Sequence, residues 1–372
     1  VKKVFLIMVS SLLLLTGCWD QRQFKNVKLV LSAGFDAGED GQIIQTVSIP
    51  TVRGGESGTH MEAIQTLTTQ APTPLAASDK MDRMVENTLN PAKIQVYLLG
   101  EELAKQSMYP VLDAVYRNPS SNLNAHLVVV EGEAKEAVEF KSTGITKISE
   151  YISGIISASA YVTHSSGENL QMLCAELVEP GQDFLVPLIK VDSENGVVKF
   201  SGLGLMYDDR YTGEKIEADN ATMLMLLLGN KGNVARMTKK VGEYEKEPIL
   251  DYVTFNVINM DRKMKVRPKG EQIDVDVNLK LDVRVTEYPH DHLVDEKVID
   301  ELSKKLSKAL TKDSEEIMAK LQESNSDVFG IGRRIKAFHP DLWGKLDWTE
   351  KYKEVNFNPN VEVTIQQHGI VN

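Results

Sequence analysis

Gln272-Ile-Asp-Val-Asp-Val-Asn-Leu-Lys-Leu-Asp-Val-Arg-Val-Thr286 alternates apolar and polar residues without a break. Ile273, Val275, Val277, Leu279, Leu281, Val283 and Val285 take one parity; Asp274, Asp276, Asn278, Lys280, Asp282, Arg284 and Thr286 take the other. Successive side chains of a strand point to opposite faces, so the stretch predicts one long strand with one wet face. A wet face implies an antiparallel sheet covered on its other side. The cover follows directly in the sequence. Val298, Leu302, Leu306, Leu310, Ile317 and Leu321 have helical spacing, in a segment dominated by strong helix formers.

Upstream of this strand the order of elements is mixed. Val27 to Phe35 and Gln42 to Ile49 read as strands around a turn at Ala37–Gly41, and the glycine-bearing segment Pro50 to Thr59 reads as a loop. Ser78 to Leu89 reads as a helix capped by Ser78, and Ala104 to Tyr116 as a helix despite Pro110. Ile94 to Leu99, Ala125 to Val130 and Phe184 to Val191 are short apolar runs of the buried-strand type. Ala134 to Phe140 and Ile145 to Ala160 read as helices. Val197 to Met206 with Lys215-Ile216 suggests a hairpin around Asp208-Asp209-Arg210. Ala218 to Leu228 predicts a helix ended by Gly229, Leu250 to Arg262 a strand, and Val361 to Gln366 the last strand. Strands and helices without regular alternation give an α+β class: two or three small mixed domains, with largely antiparallel sheets each covered by helices. The polar turn Asp192–Gly196 divides residues 18–195, an α+β region with room for two subdomains, from a C-terminal α+β domain at 196–372.

The first residues set the address. Lys2 and Lys3 precede an apolar run from Val4 to Leu15, and Leu15-Thr-Gly-Cys18 closes it. The run matches a secretory h-region and falls short of the ~20 residues a membrane-spanning helix needs. Thr16 and Gly17 are small enough for a peptidase to reach the backbone. Cys18 offers a thiol for diacylglycerol. Residues 1–17 are therefore expected to be a lipoprotein signal peptide, and Cys18 the lipid-attachment residue. One acyl chain binds a membrane only marginally, so two make a stable anchor. The expected location is the outer face of the cell membrane.

Composition narrows the function classes. The 372 residues include 53 acidic and 42 basic side chains, for a net charge of −11. That balance disfavours nucleic acid, and it gives no attraction to anionic headgroups, which leaves anchoring to the acyl chains. Hydrophobic residues make up 42 % and charged residues 26 %, as in a globular body. With Cys18 lipidated, Cys174 has no partner, so neither a disulfide framework nor a cysteine metal site is expected. Cys174, flanked by apolar residues, reads as a small buried hydrophobe.

The search for chemistry finds no catalytic constellation. His290-Asp291-His292 is the one close histidine pair, and without a third ligand nearby it reads as a solvated loop rather than a metal site. Gly330-Ile-Gly332 before Arg333-Arg334 has the look of an anion site at a helix start, but it does not follow a strand in a βαβ unit, so packing or a helix break is the better reading. Gly202-Leu-Gly204 inside a strand pattern reads as a bulge or a close backbone approach. Trp343 and Trp348 anchor a core or, if exposed, a protein contact. No residue is nominated for catalysis, for a cofactor or for a metal.

The residues that resist an enzymatic reading resemble a known family. Leu15-Thr-Gly-Cys-Trp-Asp-Gln-Arg22 resembles the start of the Ger(x)C lipoproteins, the C subunits of spore-germination nutrient receptors. Lys199-Phe-Ser-Gly-Leu-Gly-Leu-Met206 resembles that family's hairpin. Asp327-Val-Phe-Gly-Ile-Gly332, Pro340-Asp-Leu-Trp343 and Trp348 resemble its closing helix and tryptophan pair, and Val361 to Gly369 its last strand. One departure is Gln21-Arg22-Gln23-Phe24, where the family often has Arg-Glu-Ile after the arginine; Cys18 is intact. The resemblance implies a non-enzymatic receptor lipoprotein of small mixed domains on the outer face of the inner spore membrane. Its implied partners are the membrane-embedded A- and B-type germinant receptor subunits. The alternatives are a substrate-binding lipoprotein of a transporter, usually built from two lobes with parallel sheets, and an envelope hydrolase.

Overall fold

A computed structural model describes residues 27–54, 60–142, 144–145, 147–243, 247–290 and 293–367. The N-terminal part comprises β1 (Val27–Leu29), β2 (Ser32–Ala37), β3 (Ile43–Gly54), β4 (His60–Ala71), α1 (Pro74–Asp82), β5 (Thr88–Asn90), β6 (Val96–Gly100), α2 (Glu101–Ala104), α3 (Tyr109–Arg117), β7 (His126–Val130), α4 (Ala134–Glu139), α5 (Ile148–Tyr161), α6 (Leu170–Leu177) and β8 (Leu185–Asp192). After it come β9 (Val197–Tyr207), β10 (Arg210–Glu217), α7 (Ala218–Leu228), β11 (Arg236–Lys240), β12 (Tyr252–Lys269), β13 (Gln272–Glu287), α8 (Glu296–Glu323), α9 (Ile331–Phe338), α10 (Pro340–Trp343), α11 (Trp348–Tyr352) and β14 (Asn356–Gln367).

An eight-stranded sheet runs in the order β10-β9-β8-β7-β6-β2-β3-β4. Its four central strands pair in parallel, and hairpins flank them on both sides. Both faces are closed. Tyr97 and Leu99 of β6 pack with α1, α3 and α6, whereas Val96 and Leu98 pack with α4 and α5. The same split divides Leu127 and Val129 from Val128 and Val130 on β7. A strand buried on both faces has no polar parity, which is why these segments are continuous apolar runs.

The second sheet has the order β11-β12-β13-β14. As the alternation in β13 requires, Ile273 to Val285 of the apolar parity are all buried, against Leu302, Leu306, Leu310, Ile317 and Leu321 of α8. The other face carries polar ladders across the strands. Asp276 accepts from Arg267 Nη2 at 2.6 Å and from Asn358 Nδ2 at 3.4 Å, and Lys280 meets Glu362 at 2.7 Å. The β13–β14 pairing is parallel, so this sheet is mixed as well. The outer edge of β14 is covered by α8: Val361 and Val363 donate their amides to Thr311 Oγ1 (3.1 Å) and Ser307 Oγ (2.9 Å). Edge groups satisfied in this way offer no template to another strand.

Helix α7 joins the two sheets. Every residue from Ala221 to Leu227 is buried, in one core with Leu203 and Leu205 of β9 and the apolar face of β13. A helix apolar all round has to be enclosed on all sides. Gly229, at φ 91°, ends it as expected.

Several elements differ from the sequence reading. Pro50 to Gly54, expected as loop, continue β3 in antiparallel pairing with β4, itself not foreseen; residues 55–59 lie outside the described residues. The helix expected at Ser78–Leu89 begins at Pro74, because Thr73 Oγ1 accepts from the Ala76 amide (3.2 Å) and proline is preset for the first turn. Leu89 pairs in β5 instead. The helix expected at Ala104–Tyr116 is two helices, with Pro110 in the first turn of the second. The turn at Asp192–Gly196, read as the divide between 18–195 and 196–372, is a hairpin joining β8 and β9 within one sheet. Cys174 is half-buried on α6 rather than enclosed.

Candidate functional site at the junction of the two sheets

Two loops meet where the sheets adjoin. One follows α6 and holds Gly181 and Asp183; the other follows α8 and holds Ser326 and Asp327. They bind each other reciprocally. The Asp183 amide donates to the Asp327 carbonyl at 3.0 Å, and the Asp327 amide donates to Asp183 Oδ2 at 2.7 Å. Asp183 Oδ1 accepts from the Asp208 amide at 2.8 Å, which draws in the β9–β10 turn.

Asp327 in turn begins α9. Its Oδ1 accepts from the Ile331 amide (2.9 Å), and its Oδ2 from the Gly332 amide (2.8 Å) and from Trp348 Nε1 (3.2 Å). A helix start exposes unpaired amides, and a carboxylate there satisfies them. The anion that the Gly330-Ile-Gly332 pattern suggested is therefore the chain's own side chain, in keeping with the packing reading. Gly330 takes φ 62° to turn into the helix. At Gly332 a Cβ would stand 2.5 Å from Trp348 Nε1 and 2.8 Å from the Gly181 Cα, so only glycine lets the two loops close. The Arg333 amide completes the contact, donating to the Gly181 carbonyl at 2.7 Å.

Aromatic residues seal this knot. Trp348 lies between Trp343 and Tyr352, with both ring centroids 5.9 Å away, and Tyr352 donates its hydroxyl to the Ser326 carbonyl at 2.9 Å. Both tryptophans are half-buried and pack on the second core, the anchoring role of the two that were open. Burial pushes the Asp327 carboxyl well up, against the pull of its amide and indole donors. Asp183 is pushed up to about 7, mainly by burial, while the Asp327 and Asp208 amides pull it back. The arrangement is a clamp: the Asp183 and Asp327 carboxylates accept from amides and an indole N–H across the two regions and hold them together.

A cavity of about 220 Å³ opens beside the clamp. Glu168, Glu176, Gln182 and Asp183 line it from the first loop and its approaches; Arg262 of β12 and Arg333 and Arg334 of α9 line it from the second region.

Cys18 lies outside the described residues, as do Asp291 and His292. Among the described residues no three His, Cys, Asp or Glu side chains gather as metal ligands, and no helix is long and apolar enough to cross a membrane. The sequence reading did not single out Asp183 or, for its own role, Asp327. Asp327 carried one local signal, an acceptor placed just before a Gly-x-Gly helix start; Asp183 carried none, since its partner is 144 residues away.

Comparison with known proteins finds two family segments in series. Residues 20–191 match the family described as the spore germination protein N-terminal domain, and residues 201–369 match the spore germination B3/GerAC-like C-terminal family. Spore germination protein GerQC of Bacillus cereus is 20 % identical, over 99 % of both chains. Spore germination protein B3 of Bacillus subtilis (strain 168) is 23 % identical, over 99 % of this chain and 98 % of its own. The crystal structure of the GerBC protein shares the fold, with a TM-score of 0.54 and 20 % identity over 90 % of this chain and 96 % of that one. With both family segments matched in series along nearly its whole length, on a fold shared with a solved relative, the chain belongs to the Ger(x)C family of spore germination proteins.

Proposed function

We propose that this chain is the lipid-anchored C-type subunit of a germinant receptor, with a structural or signal-coupling role rather than a catalytic one. Diacylglycerol on Cys18 would hold it to the outer face of the inner spore membrane, where it would assemble with membrane-embedded A- and B-type subunits. The observation that carries this reading is the position of the two family segments. They begin at residue 20, two residues after the lipobox cysteine, and run to residue 369. Family membership supports a part in a germination receptor. The Leu15-Thr-Gly-Cys18 pattern supports the anchor. The clamp supports the coupling role, because Asp183 and Asp327 tie the two regions into one unit.

The test is genetic and chemical together. Deletion of the chain, or Cys18→Ala, is expected to slow nutrient-triggered germination while vegetative growth stays normal. A palmitate analogue should label the native protein and not the Cys18→Ala variant. Equal labelling of both would remove the anchor, and unchanged germination to every nutrient would remove the receptor role.

A further inference from the structure

The chain enters its fold at one end of the eight-stranded sheet. β2, β6 and β7 are parallel, so they start at the same end, with Ser32, Val96 and His126 side by side. β1 lies beyond that end, paired with β5 from Val27–Thr88 to Leu29–Asn90, and the Leu31 carbonyl then accepts from the Gln95 amide at 2.9 Å. The β3–β4 ribbon extends the same way: its pairs from Ile49–Gln65 to Gly54–His60 run past the start of β2.

The inference rests on the lipid-anchor reading of Cys18. Val27 comes nine residues after Cys18. Nine residues reach ~30 Å when fully extended. A folded body of about 350 residues is ~50 Å across. A link shorter than the body cannot let its far end turn to the bilayer. Whether the end at Val27 then faces the lipid squarely is decided by charge.

The two ends of the sheet differ in sign. Around the chain entry stand Lys28 on β1, Arg83 after α1 and Lys93 before β6, with the exposed Met84 next to Arg83. Glu86 and Asp82 are carboxylates of the same end, and Asp82 Oδ1 accepts from the Leu89 amide at 2.8 Å. At the far end Glu39 and Asp40 occupy the β2–β3 turn, Glu101 and Glu102 follow β6, and Glu131 and Glu133 follow β7. Lys105 pairs with Glu101 and Glu102, Lys215 pairs with Glu131, and the balance there stays negative. An anionic headgroup layer attracts Lys and Arg and repels carboxylates within a Debye length. We propose that the end of the eight-stranded sheet where β2 and β6 start is the face turned to the bilayer, with Lys28, Arg83 and Lys93 against anionic headgroups and the carboxylate-rich end directed away. The net charge of −11 gives the whole chain no attraction to such a surface; its distribution sets which end meets it.

The experiment carries the full chain, on its native lipid, into vesicles of phosphatidylcholine and phosphatidylglycerol with a nitroxide on some headgroups. Cys174→Ser frees the chain for one chosen fluorescent label, placed by Ala92→Cys or by Glu102→Cys. Both positions are exposed, and they lie just before and just after β6. The label at residue 92 should be quenched several-fold more than the label at residue 102. Lys28→Gln, Arg83→Gln and Lys93→Gln together should narrow that ratio, and so should high salt, while the chain stays on the vesicles. Equal quenching, stronger quenching at residue 102, or a ratio that the triple variant leaves unmoved would overturn the proposal. These vesicles hold no other protein, so an end built for a protein partner instead of lipid would give equal quenching. A chain that does not float with the vesicles would remove the anchor itself, whereas one that floats and shows equal quenching would remove the orientation alone.

Discussion

Leu98 and Leu99 are neighbours in β6 and serve different cores: one faces α4 and α5, the other α1, α3 and α6, and both are fully buried. Leu279 and Lys280 are neighbours in β13, and only the leucine is inside; the lysine stands on the wet face beside Glu362. The contrast shows what each sheet does. The eight-stranded sheet is a partition between two layers of helices, so β6 commits every residue to packing and β7 all but His126. The four-stranded sheet is a cover with one finished side, so half of β13 is free to carry charge. Tolerance to substitution should therefore have no parity in β6 and a strict parity in β13 from Val275 to Val285.

The largest effects are expected from core truncation. Leu98→Ala, Leu99→Ala and Leu279→Ala each remove a fully buried side chain, a change that costs about 2–5 kcal/mol. Chemical denaturation of the three variants should give losses in that range for both neighbours in β6. A β6 pair in which one truncation is nearly silent would mean that one helix layer does not pack on the sheet, and the contrast would fail there.

The clamp sharpens the contrast from the other direction, because it is polar and buried. Asp327→Asn keeps the size of the side chain but puts an amide donor beside the Gly332 amide and Trp348 Nε1, which are donors themselves. A buried donor left without an acceptor costs about 1–3 kcal/mol, so the variant should lose about that much. Gly332→Ala should lose a comparable amount by steric means, about 1–3 kcal/mol, since Trp348 and the Gly181 backbone block the new methyl. Trp348 fluorescence reports on both variants, and an unshifted spectrum with unchanged stability would show that the two loops are not held through these residues.

What could be read in advance follows the same physics. The parity of β13 was legible because one face meets water, and the helix that covers it was legible from its own spacing. The apolar runs of β6 and β7 announced burial but not direction or neighbours, because a strand closed on both sides has no period to read. β4 left little trace: at the sheet edge, Leu67 and Ala71 are the buried apolar residues of its described part, too few to set a pattern. The start of α1 is written in Thr73-Pro74, upstream of the Ser78 cap expected from the sequence. The clamp was half legible, through the glycines and tryptophans that it needs. Its carboxylates were not, because Asp183 and Asp327 are joined by folding alone.

A smaller effect separates the cavity from the clamp by pH. Glu176 loses its proton near 4.5 in an unfolded chain and near 7 when folded. Between those values the folded state binds more protons than the unfolded one, so this group's contribution to stability falls as pH rises through that window and is flat above it. The charged groups acting on it are Glu168 and Arg333. Glu176→Gln removes the titration. The fall in unfolding midpoint from about pH 5 to about pH 8 should be smaller in the variant than in the wild type. Asp183 shifts in the same direction and stays in place, so the variant should keep part of the fall. Equal falls in the two proteins would show that Glu176 does not titrate between these limits.

The smallest effect tests the wet face. Lys280 and Glu362 pair at 2.7 Å, with 62 % and 57 % of their side chains exposed. Water screens such a pair, and the order it imposes on two long side chains offsets most of the attraction. Lys280→Ala is therefore expected to move the unfolding midpoint by no more than about 1–2 °C. One residue away, Leu279→Ala should move it by several times as much, although the two share a strand and a backbone. A Lys280→Ala loss as large as that of Leu279→Ala would mean that the polar face is covered in the folded protein, and β13 would then belong with β6 as a strand buried on both sides.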